Sequence, residues 1–227
     1  MLKNKQLKTM LSMQNTMNKT IHPSWSEQGW DYMRASALEG AEAVEHHGWK
    51  WWKAQKLDMP QLQMELIDIW HFYLSRYLQI HGANEQLAIE QLSKEISEID
   101  GTVIFDGKTY KFTDLSILEK LDLLCGLACA KRMSLGVFFA LCKDVNLTVE
   151  YIYEQYIQKN TLNIFRQAKG YKLGTYHKEW FGEEDNVYLV KIASALDSKD
   201  DNYAENLWSG LEKNYEEALV HKESSKK

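Results

Sequence analysis

Proline is almost missing from this chain. There are two among 227 residues, Pro23 and Pro60, each ahead of a helical pattern, where a ring that lacks an N–H is tolerated. With so few breakers, long helices can run uninterrupted. Cysteine is scarce too: Cys125, Cys129 and Cys142 form an odd set without disulfide-type spacing. That excludes a disulfide-stapled scaffold and suits a reducing compartment. Cys125 and Cys129 lie four apart on an apolar helical face and read as small buried hydrophobes. No apolar run of about 18 residues occurs, and the N-terminal stretch has no apolar signal-type core, so the expectation is a soluble, cytoplasmic protein without membrane contact. A basic excess is also lacking. The formal net charge of −5 argues against general nucleic-acid binding but leaves room for a local basic pocket facing a small polyphosphate. Present in quantity are hydrophobic residues, at 44%, and aromatics, with eight Trp and twelve Tyr, enough for a sizeable core.

The hydrophobic pattern is helical nearly throughout. Apolar residues recur at helical spacing from Leu2 to Lys19. Ser24 with Glu27 reads as a capping box opening a helix from about Trp25 to His47, stopped by Gly48. Pro60 opens the next helix, to Gly82, and another covers Asn84 to Ile99. The clear strand signal is Thr102–Phe105 and Lys108–Phe112 around Asp106-Gly107, a two-residue hairpin turn. An isolated hairpin is marginal, so it should pack on helices. Helix resumes at Thr113 or Asp114 to about Arg132, then Ser134 to Lys143, then Asn146 to Lys169, ending at Gly170. Gly170 to Asn186 reads as loop, Val187 to Leu196 as helix or core, and Tyr203 to Val220 as helix before a frayed SSKK end. The fold class is therefore all-α, a multi-helix bundle with one small β-hairpin near 102–112. It is read as one domain over 1–227, with a mobile sub-region near 84–145.

Two acidic pairs stand out: Glu39-x-x-Glu42 and Glu65-x-x-Asp68. Residues three apart on a helix share a face, with Cβ atoms roughly 5–6 Å apart. Solvated helix faces often carry such pairs. These two sit among apolar or small neighbours, Leu66, Ile67, Ile69 and Trp70 for one and Ala37, Gly40, Ala41 and Ala43 for the other. Burying unpaired charge there is costly. A hard divalent cation would resolve the repulsion, and oxygen-only ligands favour Mg²⁺, Ca²⁺ or Mn²⁺. A second stripe, Lys159, Asn163 and Arg166 at i, i+4, i+7, offers two cations and an amide on one helix face. Lys172, in the Gly-flanked loop that follows, could close over an anion. The Trp49–Lys53 cluster could be core, interface or a platform for a base. His71 alone reads as a core histidine, and His46 and His47 as helix-end or surface residues.

Taken in order, these segments resemble the dimeric all-α dUTP diphosphatases, which belong with the MazG-like all-α nucleoside-triphosphate pyrophosphohydrolases. The resemblance rests on Gln14-x-x-x-Asn18, EGAEAVEHHGWKWWK at 39–53, ELIDIWHFYLS at 65–75 and KNTLNIFRQAKGYKLGTY at 159–176. Residues 84–145 carry no matching motif. The resemblance implies Mg²⁺ held by Glu39, Glu42, Glu65 and Asp68, with Glu39 acting on the attacking water. It implies a homodimer and hydrolysis of dUTP to dUMP and pyrophosphate, and of dUDP. Lys159, Asn163, Arg166 and Lys172 would meet the substrate at its phosphates, Gln14, Asn18, Trp51, His71 and Phe72 would lie around the nucleoside, and Tyr171 would also bind the substrate. The competing readings are a house-cleaning pyrophosphohydrolase of other base specificity and a helical interaction or regulatory protein.

Overall fold

The computed structural model describes residues 2–198, 200 and 202–224. Among them are nine α-helices and two small antiparallel ladders, so the chain is all-α as its periodicity requires. The helices are α1 (Asn4–Ile21), α2 (Tyr32–His47), α3 (Met59–Ile80), α4 (Glu85–Ser97), α5 (Ile117–Cys129), α6 (Leu135–Asp144), α7 (Val149–Ala168), α8 (Asp185–Ser194) and α9 (Tyr203–Ser224). The ladders pair β1 (Thr102–Phe105) with β2 (Lys108–Lys111), and β3 (Glu179–Trp180) with β4 (Glu183–Glu184). Of the SSKK end expected to fray, Ser224 closes α9 and residues 225–227 lie outside the described residues. The chain divides into two compact units. One gathers the chain up to Asn18 with Ser24–Tyr153; the other gathers Lys19–Pro23 with the chain from Glu154 onward.

In the first unit α2 packs along α3, and α5 packs on α2. Gly40 permits the second contact: a Cβ there would lie 2.6 Å from Cys125 Sγ. Trp70, fully buried on α3, stacks on Phe138 of α6 at 5.3 Å. The β1–β2 hairpin forms in the register the sequence predicts, Phe105 opposite Lys108, with both turn residues at positive φ, and β1 rests on α6.

The helix starts differ from expectation at one important place. Trp25–Glu27 is only a 3₁₀ turn, and Ser24 makes no side-chain cap bond. Trp25 is buried, with its indole donating to Asn15 Oδ1, and Gly29 turns the chain at φ +65°. The helix restarts at Asp31, whose carboxylate accepts from Arg34 N at 3.0 Å. A true capping box forms instead at Ser116 and Glu119, opening α5 three residues later than the sequence suggests.

The second unit is built around Phe165, whose ring lies edge-on to Trp208, Tyr215 and Trp180. Here the stretch read as loop holds more structure than expected. Tyr171–Leu173 is a 3₁₀ turn between Gly170 and Gly174, both at positive φ, and the β3–β4 ladder leads directly into α8. Gly170 is required twice over, because a Cβ there would also meet Thr175 Oγ1 at 2.0 Å.

Candidate active site

The acidic pairs converge. Glu39 and Glu42 lie on α2 and Glu65 on the facing side of α3, with one ligand atom from each within 4.8 Å of the others. Glu65 is buried, Glu39 half-buried and Glu42 exposed, so the cluster opens to solvent on one side. Asp68, one turn beyond Glu65, falls outside that tight trio. It is nonetheless the strongest charge acting on Glu39. Burial, then repulsion from Asp68, and then the Glu65 and Glu42 carboxylates push the Glu39 carboxyl up to about 8. An acid raised that far marks a pocket with more negative charge than it can hold alone. Three convergent carboxylates, with the charge of Asp68 acting on Glu39, fit a hard divalent cation, whose charge would restore the ionised form of Glu39.

A further contact was not foreseen. His46 Nε2 lies 3.4 Å from Glu65 Oε1, and the His46 carbonyl accepts from Asp58 N at 2.8 Å, tying the end of α2 to the start of α3. Its spacing of four from Glu42 carried the signal, since i and i+4 share a helix face. Glu45 points elsewhere, accepting from Trp49 Nε1 at 2.9 Å and Lys50 Nζ at 2.6 Å. Trp51 lies on the loop after α2, 86% exposed, edge-on to Trp49 and Trp52.

Gln14, Asn18 and His71 form a buried polar line. Gln14 Nε2 donates to Asn18 Oδ1 at 3.2 Å, and Asn18 Nδ2 donates to Ser75 Oγ at 3.1 Å. Gln14 Oε1 then faces His71 Nδ1 at 2.9 Å, which requires Nδ1 to carry a proton. Phe72, half-buried, lies 6.4 Å from the Tyr32 ring. His71 and Phe72 follow Asp68 on α3, so the middle of one helix carries the acids and, a turn later, these groups.

In the second unit the α7 stripe shares a face as its spacing requires: Arg166 Nη1 donates to Asn163 Oδ1 at 3.2 Å. Lys159 lies one turn earlier and is half-buried. Lys172 Nζ donates to the Ile21 carbonyl at 2.9 Å, and Tyr171 is half-exposed, 6.0 Å from Tyr176. Arg166 is not a solvated cation. Its Nε and Nη2 donate to Asp185 Oδ2 and Oδ1, both at 2.8 Å. Asp185 sits in the acidic run Glu183-Glu184-Asp185, which in the sequence looks like a solvated turn, so no local signal marks it.

A direct comparison with the curated proteins finds no match. A family model described as dUTPase matches residues 6–171. No described helix is long and apolar enough to cross a membrane. A family match that covers well over half of the chain, and that runs through both acidic helices and the stripe on α7, makes this chain a member of the dUTPase family.

Proposed function

We propose that this dUTPase hydrolyses dUTP to dUMP and pyrophosphate with Mg²⁺, that it also takes dUDP, and that it thereby clears dUTP and supplies dUMP for thymidylate synthesis. The observation that carries the metal is the convergence of Glu39, Glu42 and Glu65, with one ligand atom from each within 4.8 Å of the others. Glu39, Glu42, Glu65 and Asp68 would hold the ion, which when bound offsets their charge and that of the substrate phosphates. Glu39 then takes a proton from water as the water oxygen bonds to phosphorus and the bridge between the α- and β-phosphates breaks. Lys159, Asn163, Arg166 and Lys172 serve the phosphates, and Tyr171 also contacts the substrate.

The buried amides of Gln14 and Asn18 and the His71 ring suit the imide edge of uracil, with Phe72 at the sugar and Trp51 beside the nucleoside. A pocket that pairs its polar groups with uracil rejects cytosine more strongly than an apolar wall rejects one methyl group. We assign the chain to the MazG-like superfamily, as a cytoplasmic homodimer in which residues 1–227 act as one catalytic domain. Three free thiols, one exposed, suit a reducing compartment. Pyrophosphate release from dUTP, dCTP, dTTP and UTP, with and without Mg²⁺, tests this reading. Release confined to dUTP and dependent on the ion supports it. Equal rates on all four overturn the uracil assignment, and full activity in chelator overturns the metal.

A further inference from the structure

A guanidinium has five N–H donors in a fixed plane. At Arg166 four of them are committed within the protein. Nε and one Nη2 donor go to the two oxygens of Asp185, and the other Nη2 donor goes to Asn186 Oδ1 at 3.4 Å. One Nη1 donor goes to Asn163 Oδ1. A single Nη1 N–H remains. Asp185 is itself fixed with no freedom to adjust: it is fully buried, its Oδ2 also accepts from Tyr176 OH at 2.8 Å, and its backbone N donates to the Lys178 carbonyl. Tyr176 in turn stacks on Tyr215 at 5.2 Å.

A buried ion pair is a poor device for stability alone, because apolar residues of the same volume often do as well or better. Packing around Phe165 needs no charge at either position. What the pair does provide is direction: a two-point clamp leaves the guanidinium one orientation and one usable edge. We propose that Asp185, which lies beyond the stretch matched to the family, is a positioning residue for dUTP hydrolysis, holding Arg166 so that its Nη1 edge meets the polyphosphate. This rests on the reading of Arg166 as a phosphate-binding residue. Because Asp185 cancels most of the charge on Arg166, that arginine contributes geometry, and Lys159 and Lys172 supply the net attraction.

The sign of one substitution separates the two roles. Asp185→Asn removes the countercharge while keeping the volume. If Arg166 acted through charge alone, a non-hydrolysable dUTP analogue would bind more tightly to this variant. With positioning, the analogue's Kd rises about tenfold and kcat falls, while the Kd for deoxyuridine, which has no phosphate, stays unchanged. Tyr176→Phe removes one of the bonds that hold Asp185, buries no new charge, and should give a smaller loss of about two- to threefold in the same direction. It carries the comparison if Asp185→Asn fails to fold. Unchanged or tighter analogue binding in these variants, or an equal loss for deoxyuridine, overturns the proposal. Arg166→Lys tells the two readings apart. If it leaves analogue binding intact, the phosphate role of Arg166 itself fails. If it weakens binding while the Asp185 and Tyr176 variants do not, only the positioning role fails.

Discussion

The first unit brings acids against acids, and the second brings an acid against a base. Around Glu39 the strongest influences are burial and three other carboxylates. Around Arg166 the strongest favourable influence is Asp185, which holds the guanidinium firmly charged against the cost of burial. One cluster sets carboxylates against one another, with His46 beside Glu65. The other is balanced before any ligand arrives. An unbalanced cluster is costly in the free protein and gains most on binding, whereas a balanced one is ready-made and gains little. On the proposed reading, dUTP hydrolysis would use both kinds, an acidic centre that takes up an ion and a guanidinium already oriented for phosphate.

The largest expected effect tests the unbalanced side. Glu42→Gln keeps the side-chain volume and removes one charge from the pocket. Mg²⁺-dependent turnover should fall about a thousandfold, equivalent to ~4 kcal/mol of barrier. Helix content by circular dichroism should not change, since Glu42 is exposed on its own helix. Turnover within a few-fold of the parent would remove Glu42 from the metal site. On the balanced side, Asp185→Ala leaves the Arg166 guanidinium buried without its partner. The expected cost is about 3–5 kcal/mol of folding stability, read from urea unfolding. A cost under ~1 kcal/mol would mean that the guanidinium finds water or another acceptor, and the contrast between the clusters would then weaken.

The metal itself gives the next contrast. On the proposed metal reading, Mg²⁺ a hundredfold above its Kd should stabilise the folded protein by about 2.7 kcal/mol. That gain should appear as a rise in melting temperature, reverse on chelation, and vanish in Glu65→Gln. Asp185→Asn should leave the increment intact, because the second cluster has no part in holding the ion. An equal loss of the increment in both variants would mean that the clusters are not separate devices.

Much of the first cluster was legible in the chain because its information is local. Three-residue spacing puts Glu39 beside Glu42 and Glu65 beside Asp68 on any helix. Small residues around Gly40 signal a close helix contact, and Cys125 fills it. The Asp106-Gly107 turn likewise sets its hairpin register within a few residues. The parts that escaped depend on distant partners. Ser24 and Glu27 have capping-box spacing, yet Trp25 is drawn down to Asn15, and Gly29 resets the chain before a helix can start. Asp185 reads as one more surface acid in an acidic turn, and only its pairing with Arg166, nineteen positions earlier, reveals a buried role. His46 lies between the two cases: its face was predictable, but its meeting with Glu65 needed the α2–α3 packing.

The smallest expected effect asks how finely the acidic cluster is placed. Gly40→Ala adds a methyl group on α2 opposite α5. Helix propensity favours the change by up to ~1 kcal/mol. Against it, the new Cβ would meet Cys125 Sγ at 2.6 Å and Leu124 Cδ2 at 3.3 Å. Overpacking of this kind costs about 1–3 kcal/mol, so the net should be a destabilisation of about 1 kcal/mol. Cys125→Ala removes the colliding sulfur, and the double variant should recover the lost stability and keep the propensity gain. Turnover supplies the sharper reading. If the methyl group pushes α2 away from α5, Glu39 and Glu42 move with it, and kcat falls in Gly40→Ala and returns in the double variant. If stability changes and kcat does not, the carboxylates tolerate displacement of their helix, as expected of a cluster that is organised by its ion rather than by its packing.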